Sequence, residues 1–432
     1  MYTKIKTLLV EGIKNNSFFT LFLRLSGVLF IFLTTFLFTN NYASEVVGQF
    51  DFIRSYFLVI GSLIMLSADQ TILFFIGRYN NSKQAIIDIY KKLIGVIIVL
   101  YLCNNLFFLG FFKFTTIPIN AVTKELITKA NIVLFFYCIY LINIEILRAL
   151  ERTFVSETFR NIIKYIPLMI GFLIVNPTIT PSLIVDFFIY GFLFIAILST
   201  IVLLVVFNKH NITHQAEYTK DSFKFILKYS LPITLSTVSL YLLSSIDVFF
   251  LKYYFGDNYV AYYSVAFKIV SFISVAINAV GLSVATSMAF NYKNKAISKL
   301  KETVASSAKL IFYFSLFFSV VVLLFSKEIV SLFGKEYLIS NETLILLIIG
   351  NLIASIAGNT YMYLLMTDKG KILGRLIFSA VIINVLLNTY LIPRYDLNGA
   401  AISAIVSILF WNFLGAYYVY KKDNINILFR FQ

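Results

Sequence analysis

Charged residues are scarce in this chain of 432 residues, since Asp, Glu, Lys and Arg make up only 13% of it. An average globular domain is about 25% charged and about 45–50% apolar, whereas apolar residues reach 59% here. This composition excludes an intrinsically disordered chain, and a soluble protein this apolar would aggregate. The mean hydropathy of +0.86 indicates a chain that lies in lipid.

Residues that form cross-links or bind metals are also few. The two cysteines, Cys103 and Cys138, both lie in apolar runs, so no disulfide or metal framework follows. The two histidines, His210 and His214, lie in a polar connection with no evident third ligand. Walker A, G-x-S-x-G and H-E-x-x-H motifs are absent from the sequence. We therefore expect a protein that is not an enzyme and has no resident cofactor.

Apolar runs of bilayer-spanning length fill most of the chain. We predict twelve transmembrane helices, near residues 18–38, 49–76, 93–112, 130–150, 162–176, 183–207, 225–251, 260–289, 304–325, 343–366, 376–392 and 399–419. The polar segment 208–224 divides them six and six. The predicted fold class is an all-α integral membrane protein with an N-terminal six-helix bundle over residues 1–214 and a C-terminal six-helix bundle over residues 215–432.

The basic residues follow a pattern along the chain. Lys and Arg number 36 against 21 Asp and Glu, and they cluster before the first span, after each even-numbered span and at the C-terminus. This alternation is the positive-inside pattern, which predicts a multi-pass protein of the bacterial inner membrane with both termini in the cytoplasm. Because the positive charge follows the loops, we expect no nucleic-acid partner.

Two segments suggest an internal repeat. ASEVVGQFDFIR at residues 43–54 enters the second span, and GDNYVAYYSVAFK at residues 256–268 enters the eighth. Since each half has an even number of spans, both halves insert the same way up. This predicts a pseudo-two-fold axis along the membrane normal and a cavity between the two bundles. Chance similarity between apolar segments is the alternative.

Among the basic residues that fall inside predicted spans, Arg24, Arg54 and Lys268 are the candidates for a functional charge. A charge near the centre of a spanning helix costs about 2.5–3.5 kcal/mol on insertion scales, so such residues normally face a protein interior or a wet cavity. Small and polar residues share their helical faces. The pattern predicts a cationic cavity for an anionic headgroup. Structural ion pairs are the alternative, because Asp51 lies three residues from Arg54.

Other polar residues within the spans are candidates for ion coupling or sugar binding. Asp69 and Asp247 are candidate ion-coupling residues, because a buried carboxylate can carry H⁺ or bind Na⁺. Hydrogen bonding between helices is the alternative role. Asn384 and Asn388 lie four residues apart in the eleventh span and either line a sugar path or bond a neighbouring helix.

Three segments together are typical of one transporter family: residues 229–272, LFGKEYLIS at 332–340 and LIPRYDLNGAAISAIVS at 391–407. They resemble Wzx-type polysaccharide flippases of the multidrug/oligosaccharidyl-lipid/polysaccharide exporter superfamily. The resemblance implies export of an undecaprenyl-pyrophosphate-linked repeat unit of O-antigen or capsule to the periplasmic leaflet by alternating access, as part of lipopolysaccharide or other polysaccharide biosynthesis. It also implies that Arg24, Arg54 and Lys268 hold the pyrophosphate, although a lysine stands where an arginine is expected.

The resemblance implies membrane lipid, a polysaccharide polymerase and a chain-length regulator as further partners. Three other functions stay open. One is a drug/cation antiporter of the same superfamily, which would favour an anionic pocket. The others are a non-transporting scaffold of an envelope assembly complex, and an uncoupled channel or scramblase.

Overall fold

The computed structural model describes residues 16–69, 71–72, 75, 83–114, 120–209 and 223–430. These residues form helices joined by short turns and contain no β-strand. The helices in chain order are α1 Asn16–Asn41, α2 Ser44–Met65, α3 Lys83–Phe114, α4 Ala121–Ala149, α5 Thr153–Asn161, α6 Ile166–Ile174, α7 Leu183–Lys209, α8 Phe223–Phe255, α9 Asp257–Lys293, α10 Ile297–Leu324, α11 Ser326–Ser331, α12 Asn341–Ser355, α13 Thr360–Met366 and α14 Gly370–Asp423. The predicted all-α class is confirmed for this part of the chain.

Nine helices in the described ranges are long and apolar enough to cross a membrane. The predicted eleventh and twelfth spans run together in α14, the predicted fifth span contains only the nine-residue α6, and the first contributes the apolar stretch Leu29–Asn41. The number twelve and the cytoplasmic position of the termini therefore stay predictions. The predicted second span is interrupted, because α2 ends at Met65, Leu66 and Ser67 adopt positive φ, and Ala68 and Asp69 are helical again.

The outer surface of α3 shows what solvates this protein. Along this helix, Leu102, Leu106, Phe107 and Leu109 are 53% to 69% exposed. Water would not tolerate such a continuous apolar face, whereas lipid tails contact it without cost. The exposed apolar helix faces therefore support a multi-pass membrane protein.

The described residues divide into two compact units. Unit 1 lies within Met1–Thr34 and Ile53–Thr234, and unit 2 lies within Thr35–Phe52 and Leu235–Gln432. The end of α1 and the beginning of α2 thus pack with the C-terminal half of the chain. The predicted boundary between residues 214 and 215 lies outside the described residues, as does the histidine pair.

The core of unit 1 is an aromatic contact of α2, α4 and α7. Phe57 stacks on Tyr137 with ring centroids 5.1 Å apart, and Phe192 meets both rings edge to face. Gly61 lets α4 approach closely, because a Cβ there would lie 2.6 Å from the Tyr137 ring. These side chains fill the centre of unit 1 and leave little room for a polar site among them.

Unit 2 has its apolar core where α8, α9, α10, α13 and α14 meet the C-terminal tail. Its buried members include Leu243, Met288, Val304, Tyr363, Ile377 and Ile427. Helix α14 is broken at Asp396, whose φ of 42° and ψ of −120° are not helical. This break lies within the LIPRYDLNGAA segment, so the turn predicted between the last two spans is present. The long helix therefore consists of two segments on either side of Asp396.

Candidate functional site

The beginning of α2 packs directly on the beginning of α9 within unit 2. A Cβ at Gly48 would lie 1.8 Å from the carbonyl oxygen of Asp257, so only glycine permits this approach. Ser44 Oγ donates to Glu336 Oε2 at 3.0 Å and lies 3.3 Å from Asn258 Oδ1. The two segments that suggested a repeat are therefore in contact with each other.

One helical turn beyond Gly48, this packing buries an ion pair. Lys268 Nζ donates to Asp51 Oδ2 at 2.8 Å, and the ammonium lies 5.8 Å from the centre of the Phe50 ring. The Lys268 side chain is 10% exposed and that of Asp51 is fully buried. Asp51 was considered as a partner for Arg54, but here it forms an ion pair with Lys268. A cation in a spanning helix thus has both a counter-ion and an aromatic face.

A second buried polar cluster joins α8, α9 and α14. Asn388 Nδ2 donates to Asp247 Oδ1 at 2.7 Å and to Asn384 Oδ1 at 2.9 Å. Tyr263 Oη donates to Asp247 Oδ2 at 2.7 Å. All four side chains are at most 2% exposed. Residues predicted separately for ion coupling and for sugar binding therefore form one site, and we call it the Asp247 cluster.

The chemistry of the Asp247 cluster differs from that of an ordinary ion pair. Each hydrogen bond to the Asp247 carboxylate within the described ranges comes from a neutral side chain. Asn384 Nδ2 and Asn388 Oδ1 are buried with no hydrogen-bond partner among the described residues. Carboxylate, amide and phenol oxygens are ligands for hard cations. The cluster could thus hold a proton on Asp247 or a small hard cation such as Na⁺.

The remaining predicted residues lie in unit 1. Arg54 is half-buried in α2 just after the residues of that helix that belong to unit 2. Arg24 belongs to α1, and its side chain lies outside the described part of the structure. That Arg24, Arg54 and Lys268 face one cavity stays a prediction. Asp69 follows the end of α2 and interacts electrostatically with Glu145.

Glu145 forms the main ion-pair group of unit 1. It accepts from Arg160 and lies 3.8 Å from Arg148. Arg160 lies in α5, which is outside the candidate spans. Burial opposes the charge on Arg160, but the neighbouring Glu145 carboxylate outweighs it and raises the pKa of the guanidinium. Asp69 therefore lies near a structural ion-pair group and far along the chain from the Asp247 cluster.

Two residues with buried polar contacts in unit 2, Tyr263 and Lys252, were not predicted from the sequence. Tyr263 bonds Asp247, and Lys252 forms a buried ion pair with Asp257. Both contacts cross the turn at Gly256, where a φ of 85° reverses the chain between α8 and α9. A hairpin centred on Gly256 places residues at similar distances before and after it side by side, and this signal could have found them.

Over the described ranges, no three His, Cys, Asp or Glu side chains are grouped so that they could hold a metal ion. The Asp247 cluster is a different kind of site, because it has one carboxylate and otherwise neutral oxygen and nitrogen atoms.

Comparison with known protein families gives a match over part of the chain. Residues 232–390 match the MatE family, a segment that contains Asp247, Tyr263, Lys268 and both asparagines of the cluster. No curated protein sequence matches the chain.

Solved structures match nearly the whole chain. The lipid II flippase MurJ in an inward closed conformation has a TM-score of 0.69 and 18% identity, covering 94% of this chain and 87% of that one. An inward-facing multidrug resistance MATE family transporter of the MOP superfamily also has a TM-score of 0.69, with 16% identity and coverage of 94% and 98%. The Vibrio cholerae MATE transporter VcmN has a TM-score of 0.62, with 15% identity and coverage of 96% and 97%. Residues 232–390 of the chain are therefore similar to the MatE family, and the chain has the fold that the lipid II flippase and the MATE transporters share.

Proposed function

We propose that this protein is a flippase that moves an undecaprenyl-pyrophosphate-linked oligosaccharide from the cytoplasmic to the periplasmic leaflet by alternating access. The observation that carries the proposal is the Lys268 cation, buried in α9 of a membrane protein and held there by Asp51. A cation inside a spanning segment is costly and marks an anionic ligand or a structural pair. The likeness to the lipid II flippase supports the first reading.

The proposed chemistry is an exchange of anions at Lys268. When a pyrophosphate enters, its oxygens replace the Asp51 carboxylate as partner of the ammonium, which acts as a compact point charge. Arg54 and Arg24 are the proposed additional phosphate ligands. The sugars occupy the water-filled part of the path and the polyprenyl tail stays in lipid. The ammonium then has an anionic partner before and after the exchange, and the displaced Asp51 carboxylate must become hydrated or take up a proton so that it is not left as an unpaired buried charge.

The Asp247 cluster is the proposed site of ion coupling by H⁺ or Na⁺. Its carboxylate has neutral partners in the described structure, so binding a proton or a cation would neutralise it. The unpartnered Asn388 Oδ1 is an additional oxygen ligand for a cation. In this proposal the role of Asn384 and Asn388 is to support Asp247, and the proposed sugar path lies elsewhere. Asp69 is a weaker candidate for ion coupling than Asp247. It lies beside Glu145, whose carboxylate is already paired with Arg160, and so belongs to a structural ion-pair group.

Coupling is tested by Asp247→Asn, which keeps the shape of the side chain and removes its titratable charge. Flipping by the wild-type protein in vesicles should depend on a Na⁺ or H⁺ gradient. In the variant that dependence should be lost, even where slow downhill flipping continues. Unchanged gradient dependence in Asp247→Asn would contradict the coupling role, and the same substitution at Asp69 serves as the comparison.

A drug/cation antiporter is the second candidate, and the Asp247 cluster is the observation that favours it. A buried carboxylate without a basic partner in the described chain is also what an organic cation needs. The two candidates differ in the role of Lys268, because a cation in the path repels a cationic drug. Drug susceptibility of a deletion strain separates them: hypersensitivity with normal surface polysaccharide would favour the antiporter.

The flippase is tested in a strain whose surface polysaccharide depends on this protein. Lys268→Gln should abolish surface polysaccharide and leave lipid-linked oligosaccharide on the cytoplasmic side, while Lys268→Arg should retain transport. Lys252→Gln is the matched control, because it also removes a lysine from a buried ion pair of unit 2. Equal loss in both glutamine variants at normal protein levels would contradict a substrate role for Lys268.

A double variant separates substrate binding from simple charge pairing. In Asp51→Asn with Lys268→Gln, no unpaired charge stays buried, so a purely structural pair should recover its function. A phosphate-binding Lys268 predicts that the double variant folds but does not transport.

Arg24→Ala should likewise abolish surface polysaccharide at unchanged protein level, and full activity of that variant would refute its proposed role. A polymerase and a chain-length regulator are the proposed partners that consume the product.

A further inference from the structure

A pocket of about 360 Å³ lies in unit 2 between α10 and the C-terminal tail. It shares no residue with the Asp51–Lys268 ion pair or with the Asp247 cluster. Its polar lining consists of Lys301 and Lys309 from α10, Tyr420 from the end of α14, and Asn424, Asn426 and Arg430 from the tail. Because this end of unit 2 carries many lysines, it is the predicted cytoplasmic end.

The tail that forms one wall of the pocket is fixed in place. Asn424 ends α14 in the left-handed region, with φ 53° and ψ 34°, and so turns the chain back along the unit. Phe429 then donates its backbone N–H to the Ile356 carbonyl at 2.8 Å and stacks on Phe312 with centroids 4.0 Å apart. Ile427 is 1% exposed. The pocket is therefore a built feature of unit 2 with a packed wall.

The charge in the pocket has one sign. Three cations line it and no carboxylate does, and within the described chain neither Lys301, Lys309 nor Arg430 forms an ion pair. Glu302 is exposed next to Lys301 but is not part of the lining.

A nearby carboxylate, Asp423, has its own partners. Lys369 contacts it at 2.9 Å and Tyr363 donates to it at 2.8 Å. Lys369 lies outside the candidate spans, and burial opposes its charge. The hydrogen bonds to Tyr292 and Asp423, and the Asp423 charge, nonetheless raise the pKa of this lysine overall. Since Asp423 is neutralised by Lys369, it does not cancel the positive charge of the pocket.

The pocket lies beside surface that contacts lipid. Leu310 and Tyr313, which follow Lys309 on α10, are 61% and 54% exposed, and Leu428 on the tail is 37% exposed. A ligand that fits both features has a phosphate for the three cations and acyl chains for the apolar surface. Basic pockets at the cytoplasmic ends of spanning helices bind anionic lipid headgroups for this reason.

We propose that this pocket binds the phosphate of an anionic membrane lipid, with the Arg430 guanidinium and the Lys301 and Lys309 ammonium groups as its ligands. Arg430 supplies paired N–H donors, and the two lysines supply point charges. The Asn424 and Asn426 amides and the Tyr420 hydroxyl are positioned to bond the glycerol oxygens of the headgroup. This pocket is a different site from the one proposed for the transported substrate. None of its residues belongs to the Asp51–Lys268 ion pair or to the Asp247 cluster.

The test uses the purified full-length protein in nanodiscs and in mixed micelles. Retention of phosphatidylglycerol is compared with that of phosphatidylcholine by native mass spectrometry, and the melting temperature is measured with each lipid and with inorganic phosphate alone. The variant is Lys301→Gln with Lys309→Gln. The matched control is Lys293→Gln with Lys299→Gln, which removes two exposed lysines from the same end of unit 2.

We expect the wild-type protein to retain phosphatidylglycerol in preference to phosphatidylcholine. Each removed cation should weaken this binding about fivefold, which is the equivalent of about 1 kcal/mol per basic residue. The control pair should bind like the wild type. Equal weakening in both pairs would show a diffuse surface attraction, and stabilisation by inorganic phosphate without any lipid preference would place the ligand in the aqueous phase. Either result would overturn the proposal, as would the absence of a preference in the wild type.

Discussion

Two carboxylates of unit 2 are buried to the same degree and are satisfied in opposite ways. Asp51 is fully buried against the Lys268 cation, whereas Asp247 is 2% exposed among Asn388, Tyr263 and Asn384, which are neutral. In the first site the carboxylate is balanced by the ammonium beside it. The second carries the charge of its carboxylate unless it takes up a proton or a cation. Equal burial therefore goes with a charged partner in one place and with neutral partners in the other.

The largest expected effect compares removal of one charge from each site. Lys268→Gln leaves Asp51 buried without its cation and should lower the free energy of unfolding by about 3–5 kcal/mol. Asp247→Asn keeps an oxygen for the Asn388 donor, and its amide N–H can donate to the Tyr263 hydroxyl oxygen, so the substitution should cost less than about 1 kcal/mol. Chemical unfolding of both proteins in the same detergent measures the difference. Similar losses in the two variants would break the distinction between the sites.

The next effect concerns the packing that brings Asp51 to Lys268. Gly48→Ala places a methyl group on the Asp257 carbonyl, which is backbone and cannot move aside, so stability should fall by about 3 kcal/mol. Gly95→Ala is the matched control, because nothing lies within 4 Å of its Cβ position in α3. That control should be neutral or gain about 0.5–1 kcal/mol through helix propensity. Normal stability of Gly48→Ala would show that the two helix starts are not held together in this way.

Asn388 is the centre of the hydrogen bonds around Asp247. Asn388→Leu removes a donor from a buried carboxylate and should lower the free energy of unfolding by about 2 kcal/mol. If the cluster binds Na⁺, the stabilisation that Na⁺ gives the wild-type protein should also disappear in the variant. Thermal unfolding with NaCl against choline chloride measures both effects. Na⁺ stabilisation that survives in Asn388→Leu would place the cation elsewhere.

The smallest expected effect belongs to the phenol. Tyr263→Phe removes one hydrogen bond to Asp247 and keeps the ring, so a loss of about 1 kcal/mol is expected. Tyr262→Phe is a suitable control on the same helix, since its hydroxyl contacts are long at 3.4 Å. Unfolding of the two variants measures the difference, and an equal effect would remove Tyr263 from the cluster.

Local patterns predicted much of this protein. Apolar run length and composition are properties of short segments, so they predicted the membrane class, the all-α fold and most helix positions. The break at Asp396 and the turn at Gly256 both fall in short connections between predicted apolar spans. The end of α2 at Met65 was not predicted, because the apolar run continues beyond it while the backbone turns at Leu66 and Ser67.

The partners of the buried polar residues needed the tertiary structure. Sequence alone placed Asp247 and the two asparagines in different spans with different roles, and it offered Arg54 as the neighbour of Asp51. Helical periodicity identifies the face on which a side chain lies, but not the helix that packs against that face. Close approach at positions such as Gly48 decides this, and it brings Asp51 to Lys268, 217 residues along the chain. The sequence by itself thus determined which residues must avoid lipid, and helix packing determined which charges they meet there.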